Sequence, residues 1–299
     1  EVFRATGPTS STSMDIKIGM KKDGTITAGS GVFRLQGGAF PGAPMEFTAM
    51  CAFAPYNLQN VQQIGYDVLN NRPKQAAYRA PGSPMAAFAV ESVIDELCNQ
   101  LKLDPIEVRL KNASKEGTKA SFGPKWDRIG LVECLESAKN HPHYSSPLLE
   151  GQGRGISSGF WFNHGGETAV TLALSEDGTA ALSVGTPDIG GSRASMCQFV
   201  AEELGIPYEK IRTTIADTAT LGYNEISHGS RVTYATGLAT IKAAQDAIKK
   251  LCARAANKWG IDEDAVIWED GCAKPSGPNA GSFEPVSYTH LTLPTTPYV

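Results

Sequence analysis

The chain has 299 residues, of which 41% are hydrophobic and 19% charged, with a formal net charge of −4. That balance predicts a globular protein of one large or two medium-sized domains, excludes nucleic acid as the main partner, and leaves no apolar run near the ~20 residues of a membrane span. The cysteines at positions 51, 98, 134, 197, 252 and 272 contain no Cys-x-x-Cys pair. Several fall in apolar helical patterns, which predicts buried free thiols in a reducing cytoplasm rather than disulfides or a zinc site.

Met14, Ile16, Ile18 and Met20 alternate with polar residues and predict a strand. Lys21-Lys22-Asp23-Gly24 turns it into Thr25-Ile26-Thr27, a hairpin. Gly37-Gly38-Ala39-Phe40-Pro41-Gly42 reads as a loop. A helix follows from Ser83, with Ser83 as its cap, Pro84 at the first position, and Phe88, Val93, Ile94 and Leu97 as an apolar stripe. A second helix opens at Asp104, and Glu107 stands at capping-box spacing. Residues 112–150 are rich in Gly, Pro, Ser and Lys, with one short helix over 131–139. They hold the expected boundary between domains 1–146 and 147–285.

The second half is predicted to open with a strand over 155–163. A second hairpin follows, from Val170 to Leu174, through Ser175-Glu176-Asp177-Gly178, to residues 179–184. Met196, Phe199, Val200 and Leu204 mark a helix face stopped by Gly205 and Pro207. Ile211, Thr213 and Ile215 predict a strand, and residues 235–258 a long helix burying Leu238, Ile241, Ile248, Leu251 and Ala255. The class is α+β, with mixed sheets, hairpins and packed helices. Residues 286–299 show no period and read as a vector-derived tail outside the fold.

Two stretches carry the chemistry. Thr186-Pro187-Asp188-Ile189-Gly190-Gly191-Ser192-Arg193 and His228-Gly229-Ser230-Arg231 each lead into a helical pattern. The first amides of a helix lack internal partners and carry partial positive charge. Glycines let an anion approach them, and arginine adds a fork of donors. Two such loops in one domain predict a phosphate-rich ligand and one shared cleft. Read individually, each is also an ordinary glycine turn. His141-Pro142-His143 reads as polar loop, and Glu46, Glu91 and Glu225 as solvated carboxylates.

Gln75-Ala76-Ala77-Tyr78-Arg79-Ala80-Pro81-Gly82 resembles the Ala-Tyr/Phe-Arg loop of the xanthine dehydrogenase and aldehyde oxidase family of molybdenum hydroxylases. The nearest subgroup is the large subunits similar to aerobic carbon monoxide dehydrogenase. Leu103-Asp104-Pro105 through Arg109-Leu110-Lys111-Asn112, and the two Ser-Arg loops, resemble later motifs of the same family in order and spacing.

The resemblance covers residues 1–285 and implies two molybdopterin-binding subdomains. It implies a molybdenum atom held by the dithiolene of molybdopterin, in its cytosine dinucleotide form, with no protein metal ligand. By the same resemblance Ala77, Tyr78 and Arg79 line the cofactor beside the metal. Gly190, Gly191, Ser192 and Arg193 hold the nucleotide part, and Gly229, Ser230 and Arg231 the pterin and phosphate; His228 is added as a cofactor contact from its position beside that loop. Ala80 and Phe47 stand at positions where the family varies with substrate, and from their place in the chain Trp161, in the aromatic stretch, and His164, before Gly165-Gly166, are further candidates for the substrate pocket. The implied reaction is oxidative hydroxylation of an aldehyde or N-heterocycle, with water as the oxygen source. An iron–sulfur [2Fe-2S] subunit and an FAD-binding subunit are the implied partners.

Three departures narrow the reading. Ala80 stands where the carbon monoxide enzymes carry cysteine, Phe47 where purine hydroxylases carry arginine, and Gly191 where other members carry glutamine. The family's catalytic glutamate is expected downstream of Pro285 and its Gly-Gly-x-Phe-Gly loop upstream of Glu1, which leaves no catalytic residue inside this stretch. The rival reading is a non-catalytic phosphate- or nucleotide-binding module.

Overall fold

The structure, a computed structural model, describes residues 2–291. In chain order the elements are α1 (Val2–Ala5), β1 (Thr12–Met20), β2 (Ile26–Gly38), α2 (Met45–Ala52), β3 (Val61–Leu69), α3 (Ser83–Leu101), α4 (Pro105–Asn112), α5 (Leu131–Asn140) and α6 (Pro142–Ser145). There follow β4 (Val170–Leu174), β5 (Ala180–Val184), α7 (Ser192–Leu204), β6 (Ile211–Ile215), α8 (Gly237–Trp259), β7 (Val266–Glu269), β8 (Cys272–Pro275), β9 (Val286–Ser287) and α9 (Tyr288–Leu291). The chain divides into two compact units between Trp161 and Phe162, later than the composition of residues 112–150 suggests. Long-range contacts carry the first unit past that stretch. Ile156 packs on the Ile106–Ala113–Leu135 cluster, and the amide of Ser158 donates to Glu91 at 2.8 Å.

In the first unit β1 and β2 form the hairpin and β3 runs parallel to β2. The α3 face of Ala86, Val90, Ile94 and Cys98 is buried in one core with Phe33 and Leu35 of β2. β2 continues to Gly38, so the expected loop at Gly37 begins as strand. The cap of α3 is Gly82, at φ 83°, not Ser83, whose hydroxyl donates to the Phe160 carbonyl at 2.7 Å. A Cβ at Gly82 would stand 2.2 Å from the Thr48 hydroxyl oxygen, so both backbone and packing require glycine there. Phe88 points away from the core, 75% exposed. Asp104 caps α4 by accepting from the amides of Ile106 and Glu107, and Glu107 pairs with Lys139 on α5.

The second unit repeats the order of the first: an antiparallel hairpin (β4–β5), a helix (α7), a strand parallel to the second hairpin strand (β6), then a long helix (α8). Met196, Val200 and Leu204 of α7 and Ala244, Leu251 and Ala255 of α8 share one core with Leu182 of β5. Leu238 lies outside it, 44% exposed, because the face that α8 buries runs through Gly237, Thr240, Ala244, Leu251 and Ala255, and Leu238 stands off it. Residues 155–163 form no strand.

Residues 286–291 belong to the fold, contrary to the reading of a tail starting at Val286. β9 pairs with β8, Tyr288 and Leu291 are buried in the second core, and the Tyr288 hydroxyl donates to the Gly178 carbonyl. Residues 292–299 of the expected tail lie outside the described residues.

All six cysteines are free. Cys51, Cys98 and Cys197 are buried and Cys134 is exposed; burial pushes the Cys51 thiol up to about 11. Since the thiolate is the reacting species, iodoacetamide at neutral pH is expected to modify Cys134 first and Cys51 only on unfolding. Peptide mapping with equal early labelling of both would show that Cys51 is not buried.

Candidate functional site

In both units the two strand-to-helix connections leave the carboxyl ends of neighbouring parallel strands, so both emerge on one edge of the sheet. They span residues 39–44 and 70–82 in the first unit, and 185–191 and 216–231 in the second. The carboxyl edge of parallel strands is where open sheets take ligands, because helix starts and loops converge there. The Ala77-Tyr78-Arg79 loop and both Ser-Arg loops lie on these connections.

In the second unit Val184 pairs with Ile215, so the two loops start side by side. They touch at once. The Ala216 amide donates to the Val184 carbonyl at 2.9 Å, and a Cβ on Gly185 would collide with the Asn224 amide at 1.6 Å. A cavity of about 320 Å³ lies at their base, lined by Gly185, Asp217, Tyr223 and Asn224 among others. Gly190 and Gly191 adopt φ of 63° and 86°, with nothing within 4 Å of where a side chain would start. Their faces are open, and among the described residues their amides have no acceptor. Ser192 is buried, with its hydroxyl accepting from the Ile189 amide (3.2 Å) and donating to Asp188 (3.4 Å). Its hydroxyl is engaged within the turn. Arg193 is 57% exposed and only 3.8 Å from Asp188, so its charge is presented outward.

The second loop corrects one expectation. Arg231 does not present its guanidinium to a ligand: the side chain is fully buried. Nε donates to the Gly165 carbonyl (2.8 Å), Nη1 to that of Glu225 (2.9 Å), and Nη2 to that of Glu167 (2.7 Å) and to the Thr168 hydroxyl (2.5 Å). Arg231 thus clamps residues 165–168 to the loop. Gly229 and Ser230 both take left-handed φ, at 60° and 62°; for serine this is an uncommon conformation, held by the surroundings. The Gly229 carbonyl accepts from the His164 amide at 2.9 Å. This brings His164, Glu225 and His228 together, with one ligand-type atom of each within 4.8 Å of the others. The group is assembled from positions 164, 225 and 228, a separation that spacing motifs do not capture.

In the first unit Ala77, Tyr78 and Arg79 are exposed on the 70–82 connection. Buried Gln75 fastens its base: the Gln75 amide donates to the Gly37 carbonyl (3.0 Å) and its side-chain nitrogen to that of Gly42. The Gln75 side-chain oxygen is buried with no partner among the described residues, a polar atom aimed at nothing the chain itself provides. Ala80 has φ 51°. The turn at Gly82 rests on Thr48, next to Phe47, whose ring lies 5.8 Å from that of Trp161. Phe47, Trp161 and the Ala80 turn therefore gather in one region of the first unit. His164 belongs to the second unit, where its ring meets that of His228. Glu91 is not a solvated carboxylate: it is buried, accepting from Arg109 Nε and the Ser158 amide (both 2.8 Å) and from the Tyr56 hydroxyl. Glu46 is exposed.

The family model for the molybdopterin cofactor-binding domain matches residues 1–113, and a second model of that description matches residues 145–291. The chain is 30% identical over 266 residues to the aldehyde oxidoreductase of Megalodesulfovibrio gigas, covering 83% of this chain and 29% of that protein. It is 28% identical over 283 residues to the xanthine dehydrogenase molybdenum-binding subunit of Escherichia coli O157:H7, covering 86% and 37% respectively. The crystal structure of quinoline 2-oxidoreductase from Pseudomonas putida 86 superposes with a TM-score of 0.81 at 17% identity, over 97% of this chain and 40% of that one. The chain thus spans about a third of the length of the curated relatives it matches. With two cofactor-binding domains in tandem and their motif loops on the carboxyl edges of both sheets, this chain belongs to the molybdenum-binding large subunits of the xanthine dehydrogenase and aldehyde oxidase family.

Proposed function

We propose that the chain binds molybdopterin in its cytosine dinucleotide form, as part of a molybdenum hydroxylase that oxidises an aldehyde or N-heterocycle with water as the oxygen source. The observation that carries this reading is the open pair of amides at Gly190 and Gly191 beside the exposed Arg193, on the same sheet edge as the His228-Gly229-Ser230 loop. Such a cradle suits the phosphates of a dinucleotide. Arg231 supports that loop from beneath. In the first unit the exposed Ala77-Tyr78-Arg79 loop, over the unpartnered Gln75 oxygen, suits the pterin end near the metal.

When bound, the cofactor supplies the two-electron redox chemistry, and the chain's own residues bind and orient it. Phe47 and Trp161 form an apolar wall for a small aromatic or aldehyde substrate, beside Ala80. With alanine and phenylalanine at positions 80 and 47, carbon monoxide and xanthine are not the proposed substrates. Electrons leave through a [2Fe-2S] subunit and an FAD-binding subunit. The proposed setting is the cytoplasm, where six free thiols persist; no helix among the described residues is long and apolar enough to cross a membrane.

The test is Arg193→Ala in protein produced in a host that makes the cofactor. Loss of a charge-assisted phosphate contact typically removes ~1.5–3 kcal/mol of binding, so molybdenum and pterin per chain are expected to fall. An exposed side chain 3.8 Å from its nearest acidic partner contributes little to folding, so the melting temperature should hold. Unchanged molybdenum with a lower melting temperature would make Arg193 structural and remove the cradle from this loop. Bound nucleotide without molybdenum would favour a simple nucleotide-binding module.

A further inference from the structure

We propose that His164, Glu225 and His228 form a binding site for a divalent transition-metal ion of the zinc class, a different donor set from the Gly190–Arg193 cradle although it shares the second Ser-Arg loop. This site does not rest on the cofactor reading. The donor set is two imidazoles and one carboxylate, the combination that holds zinc with one position left open for water or another ligand. His164 Nε2 lies 3.7 Å from Glu225 Oε1, and the two imidazole rings meet edge to face with centroids 5.2 Å apart. Zinc–ligand bonds of about 2.0–2.2 Å require the three donor atoms to draw in by roughly 1 Å, a side-chain adjustment that leaves the backbone in place. His164 and His228 are exposed and Glu225 half-buried, so an ion can reach the group from solvent.

The support beneath the group distinguishes it from a chance meeting of surface side chains. The ligands come from two segments, 164 and 225–228, joined by backbone bonds from the His164 amide to Gly229 (2.9 Å) and from the Glu225 amide to Glu167 (3.1 Å). Buried Arg231 fastens the same two segments through the carbonyls of Gly165, Glu167 and Glu225. Arg231 Nε also lies 4.0 Å from the Glu225 carboxylate, in the position of an outer partner that orients a ligating carboxylate. Gly166, at φ 108°, leaves the space the carboxylate uses: a Cβ there would stand 1.7 Å from Glu225 Oε2. The donors are thus held on a rigid base before any metal arrives, which lowers the cost of ordering them.

The experiment titrates the metal-free 299-residue chain with Co²⁺ as a spectroscopic probe, and with Zn²⁺ in competition. The expected result is one equivalent bound, with visible ligand-field absorption of tetrahedral or five-coordinate intensity and no thiolate charge-transfer band. Outer partners alone are worth about 10–100-fold in metal affinity, so His164→Gln, Glu225→Gln and His228→Gln are each expected to weaken binding by at least about 10-fold. The double variant His141→Gln/His143→Gln, altering the exposed pair elsewhere, should bind as the parent does. Zn²⁺ should raise the urea midpoint of the parent and not that of Glu225→Gln, a near-isosteric change that keeps the backbone contacts of residue 225. Absence of stoichiometric binding by the parent would overturn the site, as would unchanged affinity in the three single variants or loss of binding in the 141/143 variant.

Discussion

Replacing Arg231 with methionine is expected to destabilise the second unit by about 3–5 kcal/mol. The side chain is fully buried and satisfies three backbone carbonyls and one hydroxyl. A buried acceptor left without a donor costs ~1–3 kcal/mol, and methionine restores only apolar packing. Lysine is no remedy, since its single ammonium cannot reproduce a planar fork that reaches acceptors on both sides of the loop. Against the ~5–15 kcal/mol of a typical domain, a loss of this size leaves the unit marginal. Urea unfolding followed through Trp268, whose indole donates to the Leu204 carbonyl in the second unit, measures it. A midpoint shift worth less than about 1 kcal/mol would show that Arg231 is not the clamp.

The second large effect lies in the first unit. Arg109 is fully buried, with Nε 2.8 Å from Glu91 and Nη2 2.9 Å from Asp95. Glu91 also accepts from Tyr56 and Ser158, so the carboxylate ties α3 to α4 and to the chain that leads out of the unit. Arg109→Met alone strands a buried carboxylate, at an expected ~3–5 kcal/mol. Combining it with Glu91→Leu removes both charges, and the pair should cost clearly less than the two single changes added together. A double-mutant cycle in urea measures that coupling; strict additivity would mean the two groups do not interact.

Tyr56 adds a pH signature. Burial, and then the neighbouring Glu91 charge, push its hydroxyl well above the usual tyrosine range. The folded state therefore keeps the phenol neutral while the unfolded chain ionises near pH ~10. Its contribution is whole below that pH and is lost as pH rises from there toward the folded value. Tyr56→Phe should flatten this alkaline fall, and an unchanged slope would place the effect on other groups.

Local pattern carried much of the architecture. Alternation at Met14–Met20 and Val170–Leu174, with Asp-Gly turns after each, was enough for both hairpins. The Asp104 cap and the Gly205 stop were equally legible, because backbone satisfaction at a helix end depends on a few adjacent residues. Period alone misplaced Phe88 and Leu238, which have the right spacing but face away from the cores. It also suggested a strand at residues 155–163, where no ladder partner exists among the described residues. A strand is defined by its neighbour, and a stretch cannot announce that none will arrive.

The two Ser-Arg loops mark the limit most clearly. Their residue types and their place before helices could be read directly, and so could the family and the cofactor class they suggest. What the side chains do could not. Arg193 and Arg231 follow nearly the same three letters, yet one is presented to solvent and the other is enclosed by residues 165–168, more than sixty positions earlier in the chain. Burial of a charge depends on which distant carbonyls come within reach of it. The same long-range closure took Glu91 into a buried ion pair and brought His164 to Glu225 and His228. Residue type and local spacing set what each group is able to do; chain segments far apart in sequence, once packed, settle which of those capacities remains open.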